Sequence, residues 1–465
     1  MGSVYRKNRK NLYSVAAAGL CLLYLAALAH HYVIGAVMSG AFFRMSVPIL
    51  LGCYYTACGL RDGKELQLLS FYWLWLAFTR MMNGDLFLSS QMSYLIEMAL
   101  MLLAFTPGLL LEKKQRENLL DGFCTALAVF YSLLAVPGLI AGIRHVELIS
   151  PLDGYATHLI AINWRLSIQS MNPNETAGHF LLSFCALLIL FFRKKNTIVR
   201  SLLVIAGLMD LCVIALTYSR NAELQIGLVL AITFCVLLSE KIRKLKKAKQ
   251  AVLILLMILL IVPLSYKSFD MIRTVLWKPF AEERAEMENT PLSDEIIAQE
   301  HLEEGSTAWS DRGGTADGGR LGLWRGGLKS LMMEPRRLLF GCETDSLMAY
   351  YNSGDVKETP HLHNSVLQVL NHTGLIGLGL AAAFCVLVLS RGWILSRLPD
   401  THCSAGEKLL VLPVISQLCF YQLESGLFSF ADFRVFAFFF FSGILVGTER
   451  EKVQERTLSS GRIPA

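Results

Sequence analysis

Runs of about 20 apolar residues recur along this chain, the length an α-helix needs to cross the hydrocarbon core of a bilayer. In lipid every backbone N–H and C=O must find its partner within the protein, so such runs fold as helices. Twelve candidates lie near 12–30, 41–60, 66–82, 86–111, 119–142, 175–192, 198–217, 221–239, 251–266, 364–390, 409–423 and 431–448. The 465 residues are 54% hydrophobic and 17% charged. Soluble domains carry about 25% charge, so an ordinary soluble enzyme is excluded. A disordered chain, poor in aromatics and rich in charge, is excluded with it. The expected fold class is an all-α polytopic membrane protein with about 12 transmembrane helices and a large extracytoplasmic loop.

The cations test this division. With a cytoplasmic N-terminus, the cytoplasmic segments hold Arg6 to Lys10, Arg61 and Lys64, Lys113 to Arg116, and Arg193 to Arg200. They also hold the run Lys241–Lys249, then Arg391, Arg397 and Lys408, and the tail from Arg450 to Arg462. Together these are more than half of the 43 Lys and Arg, and the short outer connections hold almost none. That alternation obeys the positive-inside rule. Both termini are then cytoplasmic, and no nucleic-acid partner is expected. The long loop near 267–363 is exempt, because long loops cross largely regardless of charge. The division reads as spans one to nine over 1–266, the outer loop with short helices over 267–363, spans ten to twelve over 364–448, and a cytoplasmic tail over 449–465. The basic start followed by Ala27-Leu28-Ala29 also fits a cleaved signal peptide, which leaves eleven spans and the same orientation for the rest.

Eleven cysteines lie mostly in apolar runs and include no C-x-x-C pair, so neither a zinc ribbon nor a redox motif is supported. Two outer segments stand out. Residues 143–174 form a polar loop ending in Asn172-Pro173-Asn174. The long loop opens with an acidic stretch, 281–304, that reads as helical and solvated. It continues through paired glycines to Arg320 and Trp324, and closes on His361-Leu362-His363-Asn364. Loops of this length are usually functional or disordered, and this one reads as an ordered cap over an active site.

Three groups could carry chemistry. Thr217-Tyr218-Ser219-Arg220-Asn221 ends span seven. A guanidinium there either snorkels to the interface or grips a phosphate through its planar fork, with Ser219 and Asn221 adding hydrogen bonds. Arg320 and Trp324 are spaced i, i+4, on one face of a helix, with Arg325 beside them. His363 lies just before an apolar helix that Asn364 or Ser365 caps, and the positive end of that helix favours the neutral imidazole a general base needs. No third ligand accompanies His361 and His363, so a metal site is not expected. Glu97, Asp210 and Glu424 are the carboxylates within or at the ends of spans, where such groups usually face the bundle interior. Glu424, at an outer end, could orient an Arg or a sugar hydroxyl. Arg44 and Arg80, also near outer ends, add positive field.

These motifs, in this order with a large outer loop between them, resemble the O-antigen ligase / O-antigen polymerase family of bacterial envelope glycosyltransferases. The resemblance rests on Asn172-Pro173-Asn174, Thr217-x-Ser219-Arg220, Gly319-Arg320-x-x-x-Trp324, His363-Asn364-Ser365-x-Leu367-Gln368 with Gly374-x-x-Gly377, and Glu424. It covers roughly 170–430. It implies a GT-C-like fold in the bacterial cytoplasmic membrane. It also implies transfer of a glycan, outside the cytoplasm, from a polyprenyl-pyrophosphate (undecaprenyl-pyrophosphate) carrier to a glycan or lipid acceptor, with no cofactor and no metal. By that resemblance Arg220 and Arg320 hold the pyrophosphate and His363 is the base. Asn172, Asn174, Ser219, Trp324, Arg325, His361, Asn364 and Glu424 line the substrate. His361 competes with His363 for the role of base. No carboxylate pair suits a covalent glycosyl-enzyme, so a single inverting displacement is expected. Polymerase and ligase remain alternatives. A transporter or flippase of lipid-linked glycan is the rival of a different class, although no repeated halves or midplane polar clusters are visible.

Overall fold

The computed structural model describes residues 63–83, 101–102, 104–144, 146–149, 156–160, 165–168, 171–277, 320–341, 362–424, 427–428 and 433–459. The expected spans at 12–30 and 41–60, Arg44, Glu97, the acidic stretch 281–304 and His361 lie outside them.

The helices are α1 Lys64–Met82, α2 Lys113–Arg144, α3 Pro173–Arg193, α4 Thr197–Thr217, α5 Arg220–Leu237, α6 Ser239–Arg243 and α7 Lys247–Trp277. Then come α8 Arg320–Met332, α9 Pro335–Phe340, α10 Ser365–Ser396, α11 Ala405–Lys408, α12 Val411–Phe420 and α13 Phe433–Ser459. Among the described residues six of these, α2, α3, α4, α5, α7 to Leu276, and α10, are long and apolar enough to cross a membrane. This is a membrane protein built of helices. Helix α7 does not stop at 266 but runs on to Trp277, because the ion pair of Asp270 with Arg273 at 2.9 Å supports its last turns after the apolar run has ended. Helix α13 likewise continues to Ser459. The loop 143–174 is not wholly irregular. It holds three short antiparallel strands, β1 Leu148–Ile149, β2 Ala156–Ile160 and β3 Arg165–Ser167, with Leu148 opposite Thr157 and Leu159 opposite Leu166. The otherwise all-helical expectation missed them because strands this short carry no alternating pattern.

The core forms around α3 and the first turns of α13. The apolar window of α3 is 78% buried, whereas that of α7 is 11% buried and presents Leu255, Leu256, Leu259 and Leu260 outward. A helix apolar all round belongs either inside a bundle or against lipid, and these two take the two places. Phe438, Phe439, Phe440 and Phe441 are fully or almost fully buried. The rings of Phe440 and Phe441 meet Phe123, and that of Phe439 meets Phe384, edge-on or tilted, as aromatic quadrupoles prefer.

Contacts sort the helix ends into two sets. One set is stapled by ion pairs. Asp121 holds Arg193 and Lys194, each at 2.6 Å, Glu65 holds Arg391 at 2.9 Å and also Arg450, and Lys452 holds Glu407 at 3.1 Å. Arg116 pairs with Glu451. The other set carries the site.

Helix α10 is broken at Gly374, where φ is +66°. A side chain there would overlap the Leu339 carbonyl of α9, and one at Gly341 (φ +78°) would overlap His372. Glycine is required at both, by conformation and by space. The break frees backbone carbonyls, and α1 meets them. The Trp75 indole N–H donates to the Thr373 carbonyl at 2.8 Å, and the Thr79 hydroxyl, shared with the Leu76 carbonyl at 2.9 Å, lies 3.4 Å from that of His372.

Candidate functional site

Helix α12 ends at Phe420, and the turn that follows is held almost wholly through its backbone. The Asn221 amide donates to the Phe420 carbonyl at 3.0 Å. The Ser365 N–H donates to Tyr421 at 2.9 Å, and the Asn364 amide to Gln422 at 3.0 Å. The Ser365 hydroxyl donates to the Glu424 carbonyl at 3.3 Å and accepts from the Leu427 N–H at 3.2 Å. Beneath the turn, the buried guanidinium of Arg434 faces the rings of Phe420 at 5.1 Å and Tyr421 at 5.4 Å. Two segments far apart in sequence, 219–221 and 363–365, therefore dock on one short turn.

His363 stands on this turn's edge. Its Nδ1 lies 3.2 Å from Glu424 Oε2, with the imidazole 29% and the carboxylate 14% exposed. An ionised carboxylate only accepts, so the proton of this contact belongs to Nδ1. Glu424, expected to orient an Arg or a sugar hydroxyl, here meets His363. Asn364 caps α10, its side chain accepting from the Leu367 N–H at 3.0 Å. His363, just before the cap, has φ +47°.

The second segment is built around another left-handed residue. Tyr218 (φ +51°) terminates α4, and Ser219 begins α5 with no side-chain cap. His363 and Tyr218 are the only non-glycine residues with positive φ among those described. Such strain, of the order of 1–3 kcal/mol, gathers at functional sites. Arg220 is exposed in the first turn of α5 and makes no ion pair among the described residues. The Ser219 hydroxyl is 1% exposed and finds no hydrogen-bond partner among them. A helix N-terminus with an uncommitted guanidinium and hydroxyl suits an anion.

Two arginines brace that corner. Arg165 of β3 donates through Nε to the Thr217 carbonyl at 2.8 Å and through a terminal nitrogen to Asn174 Oδ1 at 2.7 Å. Arg273 of α7 lies 4.2 Å over the Tyr218 ring, donates to the Ala215 carbonyl at 2.9 Å and pairs with the fully buried Glu223. Asn172 caps α3, accepting from the Asn174 N–H at 2.9 Å with Pro173 at the first helical position.

In the outer loop, α8 begins at Arg320 and carries Trp324 one turn on, with Arg325 exposed. The Trp324 indole N–H donates to the Leu362 carbonyl at 2.9 Å. The structure therefore unites His363, Glu424 and Asn364, links Ser219–Asn221 to them through the 420–424 turn, and sets Trp324 beside Leu362. It joins Asn174 to the Arg220 corner only through Arg165. Sequence reasoning missed Arg165, Arg273 and Arg434. Their one signal was a lone cation at the end of an apolar run or in a loop otherwise nearly free of positive charge. It read Arg80 as adding positive field near an outer helix end. In the structure Arg80 is buried, its guanidinium 3.2 Å from His372 Nδ1.

Residues 202–382 match a family model described as O-antigen ligase. The matched stretch runs from α4 into α10 and takes in Arg220, Arg320, Trp324 and His363, while Glu424 lies beyond it. No curated protein matches the chain.

Proposed function

We propose, from the O-antigen ligase match over residues 202–382, that this chain is an extracytoplasmic glycosyltransferase of the bacterial cytoplasmic membrane. It moves a glycan from a polyprenyl-pyrophosphate carrier onto an acceptor hydroxyl. The full chain has about twelve spans in a GT-C-like arrangement, with the helix ends around Arg220 and His363 facing outward and both termini in the cytoplasm.

The observation that carries this reading is the His363–Glu424 pair, seated on the same turn that anchors the Arg220 segment. An acceptor hydroxyl is a weak nucleophile. As its oxygen bonds to the anomeric carbon, its proton passes to His363 Nε2 while Glu424 steadies the resulting imidazolium. The bond from the anomeric carbon to the pyrophosphate oxygen breaks, and the electron pair leaves with the lipid pyrophosphate. Arg220, the N-terminus of α5 and the Ser219 hydroxyl face that developing charge, with Arg320 added from α8. One displacement inverts the anomeric centre.

The test uses purified protein, a synthetic polyprenyl-pyrophosphate oligosaccharide, and the variants His363→Ala and Arg220→Ala, with products read by mass. Longer lipid-linked chains, lost in both variants, identify a polymerase. Transfer only when a separate acceptor is supplied identifies a ligase. No transfer to any acceptor overturns the reading in favour of transport, and net retention at the anomeric carbon overturns the single displacement.

A further inference from the structure

We propose that Trp324 and Gln368 are positioning residues that clamp Leu362 through the backbone groups on its two sides and so set the orientation of His363. The proposal rests on the transferase reading and assigns Trp324 a task other than lining the substrate.

The Leu362 carbonyl accepts from the Trp324 indole at 2.9 Å, and the Leu362 N–H donates to Gln368 Oε1 at 3.0 Å. Both polar groups of one residue are thus held by side chains from different helices, α8 and α10. The next residue is His363, whose left-handed backbone is sparsely populated unless its surroundings fix it. The clamp is backed by packing. Leu362 is 1% exposed and sits in a small apolar cluster with Leu331 and Leu370. A side chain at Gly327 would press on the Leu362 methyls at 3.1 Å. Trp324, Gly327 and Leu331 recur at i, i+3, i+7, so a single face of α8 lies against Leu362.

Gln368 packs against His372, whose Nε2 lies 2.7 Å from the Gln368 Nε2 and whose Nδ1 lies 3.2 Å from Arg80 of α1; a neutral imidazole accepts at one nitrogen only, so one of these two contacts is a hydrogen bond. A chain of side chains thus runs from α1 through His372 and Gln368 to the residue before the base. On the opposite flank, α8 begins at Arg320, one turn before Trp324. The helix that begins at Arg320 is therefore the helix whose Trp324 holds the residue before the base.

The experiment uses the full-length chain in detergent micelles with Trp324→Phe, Gln368→Leu, Gln368→Glu and the double variant Trp324→Phe/Gln368→Leu. Phe keeps the packing and removes the N–H, and Glu keeps an acceptor for the Leu362 N–H. Trp324→Phe and Gln368→Leu each lower kcat by about 10-fold or more, the scale on which misplacing a reacting group is felt, with both KM values within about twofold. Gln368→Glu retains most of the activity. The double variant falls little below the weaker single one, because both act on the same residue. Carbethoxylation of His363 by diethyl pyrocarbonate, read on its peptide by mass, speeds up in Trp324→Phe and Gln368→Leu but not in Gln368→Glu. A rise in donor KM with kcat intact overturns the proposal by showing that Trp324 touches substrate. Unchanged carbethoxylation, or fully additive losses, also overturns it. The carbethoxylation readout needs no turnover, so the clamp is decided even if the wild-type chain is silent and the transferase reading falls.

Discussion

Asn221 and Ser365 hold neighbouring carbonyls of one turn, those of Phe420 at 3.0 Å and Tyr421 at 2.9 Å. Through that turn the start of α5, the start of α10 and the end of α12 share a single anchor. Asn221→Leu removes the buried donor and leaves the Phe420 carbonyl unmatched, at a cost of about 1–3 kcal/mol. Thermal unfolding in detergent checks the loss. Transfer activity falls in parallel, since the Arg220 corner is no longer tied to His363.

The carboxylate of Glu424 fixes which imidazole nitrogen carries the proton. Glu424→Ala is expected to lower kcat by at least about 10-fold, a share of the roughly 10²–10⁴-fold that a positioned base contributes, with KM little changed. Glu424→Gln still offers an acceptor to Nδ1 and loses less. Steady-state kinetics with a lipid-linked donor measure both, and equal losses in the two variants would show that charge rather than orientation matters.

Arg220 is the exposed cation at the start of α5. Arg220→Lys keeps the charge but not the planar fork, so an Arg that only snorkels tolerates the change, whereas one that grips pyrophosphate does not. Weaker donor binding in Arg220→Lys, by about 10-fold or about 1.4 kcal/mol, is the expected result. Titration with a non-hydrolysable polyprenyl-pyrophosphate analogue measures it.

The ion-paired end of the bundle has its own pH dependence. Burial pushes the Glu407 carboxyl upward, but the Ser404 N–H and the Lys452 ammonium outweigh it, and the group ends below its ordinary value of 4.5. Glu455 is lowered too, chiefly by its hydrogen bond from Lys113. A carboxylate depressed in the folded state adds stability above its unfolded value and loses it as pH falls through the folded one. Melting temperature should therefore drop as pH is taken below about 4.5, and Glu407→Gln should flatten that acid limb. A limb of unchanged steepness in the variant would assign it to other carboxylates.

Gly374→Ala tests the break in α10. The residue is at φ +66° and its missing side chain leaves room for the Leu339 carbonyl. Strain alone costs about 1–3 kcal/mol, and the overlap adds to it. Reduced expression and a lowered melting temperature are expected, and an unchanged protein would mean that α9 does not dock on the break.

The helices were legible where hydropathy changes abruptly. Asn172-Pro173 marks the start of α3 and Asn196 that of α4, because cap residues and apolar runs coincide there. The end of α7 was hidden because Lys267, Asp270 and Arg273 break the apolar pattern without breaking the helix. Within the site, His363 and Glu424 were each singled out as chemically notable, yet nothing local pairs residues so distant in sequence. Arg165 and Arg273 were invisible for a related reason. Each acts through a backbone carbonyl of α4, and a carbonyl leaves no mark on composition.

The break at Gly374 divides α10 into two mechanical parts. Below it the helix shares in every tilt and stretch the bilayer imposes as its thickness changes. Above it the chain is tied sideways, to α1 through Trp75 and Thr79 and to α9 through the contact at Leu339. A joint of this kind absorbs bending instead of conducting it. The residues at the top of α10 are thereby insulated from the elastic state of the lipid around the rest of the helix.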